Sequence, residues 1–149
     1  MSTHHTHQTD PALAHAVRDG VTRAVAVVGL AGVALIHLLD APDTFASTPY
    51  KGWLYVGLIV GSLTAAAALV RRSDPRAWAG AAALSVGAIL AFVYSRTVGL
   101  PASADDIGNW TEPLGLASLF VESAVAAVAL ERLTALAPRA LRLAPEGVR

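Results

Sequence analysis

The chain has 149 residues, enough for one domain. Of its side chains 54% are hydrophobic and only 15% charged, with a mean hydropathy of +0.53, where a soluble domain carries about 25% charge. Eleven basic residues balance eleven acidic ones, which excludes a nucleic-acid binder, since neutralising phosphates requires an excess of Lys and Arg. With no cysteine, disulfides, thiol redox chemistry, Fe–S clusters and cysteine nucleophiles are excluded.

A helix crossing a hydrocarbon core about 30 Å thick needs about 20 mostly apolar residues. In chain order the sequence predicts a polar lead at 1–20, flexible or interfacial, then four spans at Val21–Leu39, Gly52–Val70, Ala77–Tyr94 and Leu114–Leu130, and a basic tail at 132–149. The first span is too long for a signal peptide and no cleavage site follows it. Pro42 and Pro49, the run 71–76, and Gly99-Leu100-Pro101 separate the spans. Short connections make neighbours antiparallel, so the expected fold is all-α, a four-helix transmembrane bundle at 21–131. Pro138 and Pro145 break any tail helix into short pieces, which lie along an anionic inner leaflet.

Nine of the eleven basic residues fall on one side of these spans, leaving Lys51 and Arg96 on the other. The positive-inside rule then places both termini in the cytoplasm. The outer loops hold Asp40, Asp43, Asp105, Asp106 and Glu112, and seven of the nine aromatics sit toward that face.

Lipid tails are as apolar as leucine, so membrane helices associate through small residues and polar contacts. Gly57 and Gly61 form a GxxxG that serves either internal packing or a homodimer seam. Gly115, Ser118, Glu122, Ala126 and Ala129 recur at helical spacing and mark a face turned toward protein.

Glu122 lies about eight residues into the fourth span, roughly 12 Å deep at 1.5 Å per residue. A carboxylate there binds a proton or cation, or donates as a neutral acid to Ser62, Thr64, Ser85 or a carbonyl. His37 and Asp40 share a helical face at i,i+3, at a different depth. They are half of a metal site that Glu122 or the outer acids would complete, or a proton relay, or a structural contact of His37 with Asp40 or Tyr94. The loop 99–113 is rich in specific residue types: Asp105 and Asp106, Asn109, Trp110 and Glu112 clamp a cation or form a lid, or Arg96 simply pins the loop through Asp105, Asp106 or Asp40. The alternating spacing of an EF-hand is absent. The His4-His5-Thr6-His7 tract is a weak metal binder or an accident of cloning.

The His37-to-Asp40 end of the first span, the run Tyr94-Ser95-Arg96-Thr97-Val98-Gly99-Leu100-Pro101 closing the third, and the stretch from Asp105 to Glu122 leading into the fourth carry a resemblance. Together with one Lys against ten Arg and abundant Ala, they look like small four-span membrane proteins of high-GC actinobacteria. The resemblance covers about residues 20 to 132. It implies a bacterial inner-membrane topology and brings no activity, cofactor or catalytic residue with it. Thiol-dependent quinone reductases need cysteines that are missing here, and small multidrug exporters carry their carboxylate in the first span.

Two functions follow from the sequence. One is a non-enzymatic cation- or proton-binding bundle of transport type, with Glu122 buried and His37, Asp40 and the 105–106 loop at its outer mouth. The other is an accessory subunit whose small-residue faces dock a larger membrane complex. A metal- or haem-binding protein is a weaker third, because His37 is the sole histidine within a span. No hydrolase, zincin or P-loop motif occurs, and no cofactor is named by the sequence.

Overall fold

The computed structural model describes residues 10–72 and 74–142. The His4-His5-Thr6-His7 tract lies outside the described residues, as do Pro145 and the tail from residue 143 onward. The chain forms four helices, α1 (Pro11–Ser47), α2 (Pro49–Arg71), α3 (Pro75–Thr97) and α4 (Pro113–Arg142), with one short 3-10 turn at Ala104–Asp106. All four are long and apolar enough to cross a membrane.

Each helix begins on a proline, whose fixed φ and missing N–H suit the first helical position. Asp10 and Asp74 cap α1 and α3 by accepting from the Ala12 and Ala77 amides at 3.0 and 2.9 Å, which satisfies donors that no intrahelical carbonyl can reach. Glu112 does the same for α4, accepting from the Leu114 and Gly115 amides at 2.9 and 2.7 Å.

Two helices outrun their apolar stretches. α1 starts ten residues before Val21, so the part of the expected flexible lead from Pro11 to Gly20 is helical, and it continues past Leu39 to Ser47 with Pro42 inside it. Its 37 residues make a rod of about 55 Å, well beyond a hydrocarbon core. α4 likewise runs through Pro138 to Arg142, where the sequence suggests short pieces. Ion pairs lace the polar extension of α1 to that of α4: Arg18 Nη2 meets Glu131 Oε1 at 3.0 Å and Arg132 Nη1 meets Asp19 Oδ1 at 2.6 Å.

The helices form a ring in which each packs on the next and α4 closes against α1. The core is made of small residues around a few large ones: Ala26 and Leu30 of α1, Ala65 and Leu69 of α2, Trp78 and Ala81 of α3, Val125 and Ala129 of α4. Small side chains let backbones approach closely. A Cβ on Gly29 would collide with Val125, and one on Gly61 would come within 2.9 Å of Leu84. Gly61 thus packs internally against α3, whereas a Cβ on Gly57 would meet nothing.

The α3–α4 loop is folded back and pinned. Gly99 and Gly108 take positive φ of 86° and 79°, a region in which a Cβ is strained, and they turn the chain so that Gly108 N donates to Arg96 O at 2.9 Å. Tyr50 Oη donates to Pro101 O at 2.7 Å, tying the loop to α2.

Candidate functional site

Residues from all four helices converge in the half of the bundle next to this loop. The deepest are on α1 and α4. Glu122 is 1% exposed and His37 9%, and His37 Nε2 lies 3.8 Å from Glu122 Oε1. Ser118, one turn earlier on α4, donates its hydroxyl to the same Oε1 at 2.7 Å. Ser118, Glu122, Ala126 and Ala129 are all buried, and a Cβ on Gly115 would strike Phe92, so the small-residue face of α4 does turn inward.

Several expected contacts are replaced by others. His37 contacts Glu122 rather than Asp40 or Tyr94: its Nδ1 lies 2.9 Å from Val33 O and its ring meets Tyr55 edge-on at 4.7 Å between centroids. Asp40 instead accepts from Tyr55 Oη at 3.0 Å, and Tyr94 is half exposed. Glu122 finds its hydroxyl on its own helix. Thr64 donates to Val60 O, and the Ser62 and Ser85 hydroxyls are buried without a partner among the described residues. His37, Asp40 and Glu122 do not converge as metal ligands, and no group of three His, Asp or Glu side chains able to hold a metal occurs among the described residues.

The contact at Val33 fixes the histidine's chemistry. A carbonyl oxygen can only accept, so Nδ1 carries the hydrogen and a neutral His37 presents its Nε2 lone pair to Glu122. A lone pair facing a carboxylate at 3.8 Å in a buried space is repulsive. Placing a proton on either partner turns the contact into an ion pair or a neutral acid beside a base.

Above it lies a charged layer. Asp106 takes Arg96 Nη1 on Oδ1 at 2.7 Å, and on Oδ2 it takes Lys51 Nζ at 2.6 Å, Ser103 Oγ at 2.7 Å and Ser95 Oγ at 2.9 Å. Burial alone would raise its pKa, but the donors led by Lys51 outweigh it and hold Asp106 well below the usual carboxylate range. Arg96 also reaches Glu112 at 3.6 Å and stacks over Phe92, 4.9 Å from the ring centroid. Of the loop acids it is Asp106 that pins the loop; Asp105 and Asn109 are exposed.

This layer separates two hollows. On the loop side is a polar vestibule of about 340 Å³ containing Asp43, Asp105 and Asn109. On the inner side is a cavity of about 330 Å³, floored by His37, Ser118 and Glu122 and walled by Leu54, Leu58, Ala88 and Phe92. Both hollows touch Asp40, Lys51, Tyr55, Arg96, Asp106 and Glu112. The core around Leu30, Leu69 and Trp78 occupies the far half of the bundle.

Tyr55 and Lys51 are the site residues that sequence reasoning missed. The signal was present in Lys51, the chain's sole lysine, placed among acids. No protein-family model, curated protein or solved structure matches the chain.

Proposed function

We propose that the chain is a small integral membrane protein, oriented with its Arg-rich helix ends in the cytoplasm of a plasma membrane, that binds a proton between His37 and Glu122. The observation that carries this reading is the Nδ1 contact with Val33 O, which leaves two acceptors facing each other unless a proton is bound. The distribution of Arg supports the orientation, and the buried carboxylate supports a working role, since ionisable groups in spans are costly and mark pathways or ligands. A proton reaches the pair from the loop side, because the opposite half is closed by apolar packing. The protein therefore acts as a one-sided proton-binding bundle in this conformation, and carriage across the membrane requires the apolar half to open.

The test is infrared titration of the protein in lipid, compared with Glu122→Gln. A protonated-carboxyl stretch that disappears with rising pH in the parent and is absent from the variant is the expected result. Identical difference spectra at every pH would refute the reading.

A further inference from the structure

The cavity that opens onto the proton pair is shaped for something larger than a proton. At about 330 Å³ it falls at the lower end of small-molecule pockets, the volume of roughly eleven liquid waters at about 30 Å³ each. Its walls exclude a hard metal ion, which takes six or more oxygen ligands: Leu54, Leu58, Ala88 and Phe92 line it, and no three His, Asp or Glu side chains gather among the described residues.

The charges of the lining favour a cation. Four carboxylates, Asp40, Asp106, Glu112 and Glu122, face two basic side chains, Lys51 and Arg96. Both bases are engaged by Asp106 and Glu112, which leaves Glu122 as the carboxylate at the floor with no counter-charge but the shared proton. Two aromatic rings, Tyr55 and Phe92, also line the space, and the Phe92 ring already receives the Arg96 guanidinium. Apolar and aromatic walls around a carboxylate, with few hydrogen-bond partners, suit a quaternary ammonium, whose charge is diffuse and which has no N–H to satisfy.

The cavity also has an apolar window. Leu54 of α2 and Gly87 and Ala91 of α3 line it while standing exposed on the outer surface, and α2 and α3 are the least closely packed neighbours in the ring. A Cβ on Gly87 would meet nothing within 4 Å. In a bilayer this window faces lipid, where lipophilic cations partition.

We propose that the cavity binds a small lipophilic organic cation of the aromatic quaternary ammonium class, in competition with the proton on the His37–Glu122 pair. The proposal rests on the proton-binding reading and adds the competing ligand. Binding of the cation to the ionised Glu122 expels the proton to solvent, so one proton leaves for each cation bound and no bond other than that to the proton is made or broken.

The probe is benzyltrimethylammonium, a small aromatic quaternary ammonium, titrated calorimetrically into the full chain in nanodiscs. Neopentylbenzene, the same shape with carbon in place of the charged nitrogen, is the control. The expected results are binding at least tenfold tighter than the control, an affinity that weakens tenfold per unit fall in pH below the pair's midpoint, and release of about one proton per cation in two buffers of different ionisation heat. Glu122→Gln abolishes binding and its pH dependence. Gly87→Leu, which fills the window without touching Glu122, abolishes binding while the infrared titration of Glu122 persists, and so serves if the first variant fails to fold. Equal binding of the two probes, pH-independent binding, or unchanged affinity in Gly87→Leu would overturn the proposal. If the cation does not bind while Glu122 still titrates, the ligand assignment alone falls. If Glu122 does not titrate either, both readings fall.

Discussion

Replacing Asp106 by Asn removes one negative charge from a point where two cations meet. The amide retains an acceptor oxygen, so shape is nearly preserved, but Lys51 and Arg96 lose their shared counter-ion. Their side chains are 15% and 9% exposed, and that of Asp106 22%. Breaking a fully buried pair costs about 3–5 kcal/mol. The partial exposure here, and Glu112 at 3.6 Å from Arg96 as a substitute, reduce that to about 2–3 kcal/mol. At roughly 2–4 °C per kcal/mol for a chain of this size, the midpoint of thermal unfolding in detergent falls by about 4–12 °C. Amide exchange in residues 98–112 should rise most, because the loop depends on this carboxylate. The pH dependence has a definite sign. The folded pKa of Asp106 is depressed, so its contribution is complete above the ordinary value of about 3.9 and is lost as pH falls below that toward the folded value. The gap between parent and variant therefore closes on acidification. A variant within about 1 °C of the parent at neutral pH, or a gap that widens in acid, would show that the charged layer does not hold the loop.

Gly29→Ala forces a methyl group into Val125 and should cost about 1–3 kcal/mol in thermal unfolding, with Val125→Ala restoring part of the loss; additive effects would disprove the contact. Gly57→Ala meets open space and should be neutral or stabilising by up to about 1 kcal/mol, whereas a change in mass by light scattering would identify Gly57 as a dimer seam. Trp78 is 0% exposed, and Trp78→Ala should cost about 3 kcal/mol, the lower end of the range for buried aromatics, because lipid is itself apolar; a loss below about 1 kcal/mol would contradict its place in the core. Since the chain has no cysteine, Asn109→Cys should react with an impermeant maleimide added to intact cells and Arg72→Cys should not; the reverse pattern would invert the proposed orientation.

The helices were legible because hydropathy and prolines mark them. Each of the four starts on a proline, and the apolar stretches at 52–70 and 77–94 fall within α2 and α3. The inward face of α4 was legible from spacing alone, since a carboxylate among small residues has nowhere else to go. Contacts between helices were not. Arg96 had three acids within plausible reach, and the choice of Asp106 depends on the turn set by Gly99 and Gly108, which places Asp106 between Lys51 and Arg96. The Tyr55–Asp40 bond depends on the rotation of α2 against α1, which a hydropathy pattern leaves open when α2 is apolar on nearly every face.

The meeting of His37 with Glu122 turns on a length. If α1 ended at Leu39, where hydropathy ends, His37 would stand about 3 Å inside the membrane boundary and Glu122 about 12 Å inside it. Because α1 continues to Ser47, His37 lies ten residues inside its helix, about 15 Å from the end, and Glu122 lies nine residues past Pro113, about 13.5 Å from its own. The two side chains come level, and antiparallel packing of α4 on α1 does the rest. The polar turn that carries α1 beyond Leu39 thus has a structural part that its hydropathy hides. It sets the histidine level with the carboxylate, and its Asp40 lines both hollows while Asp43 and Thr44 line the outer one.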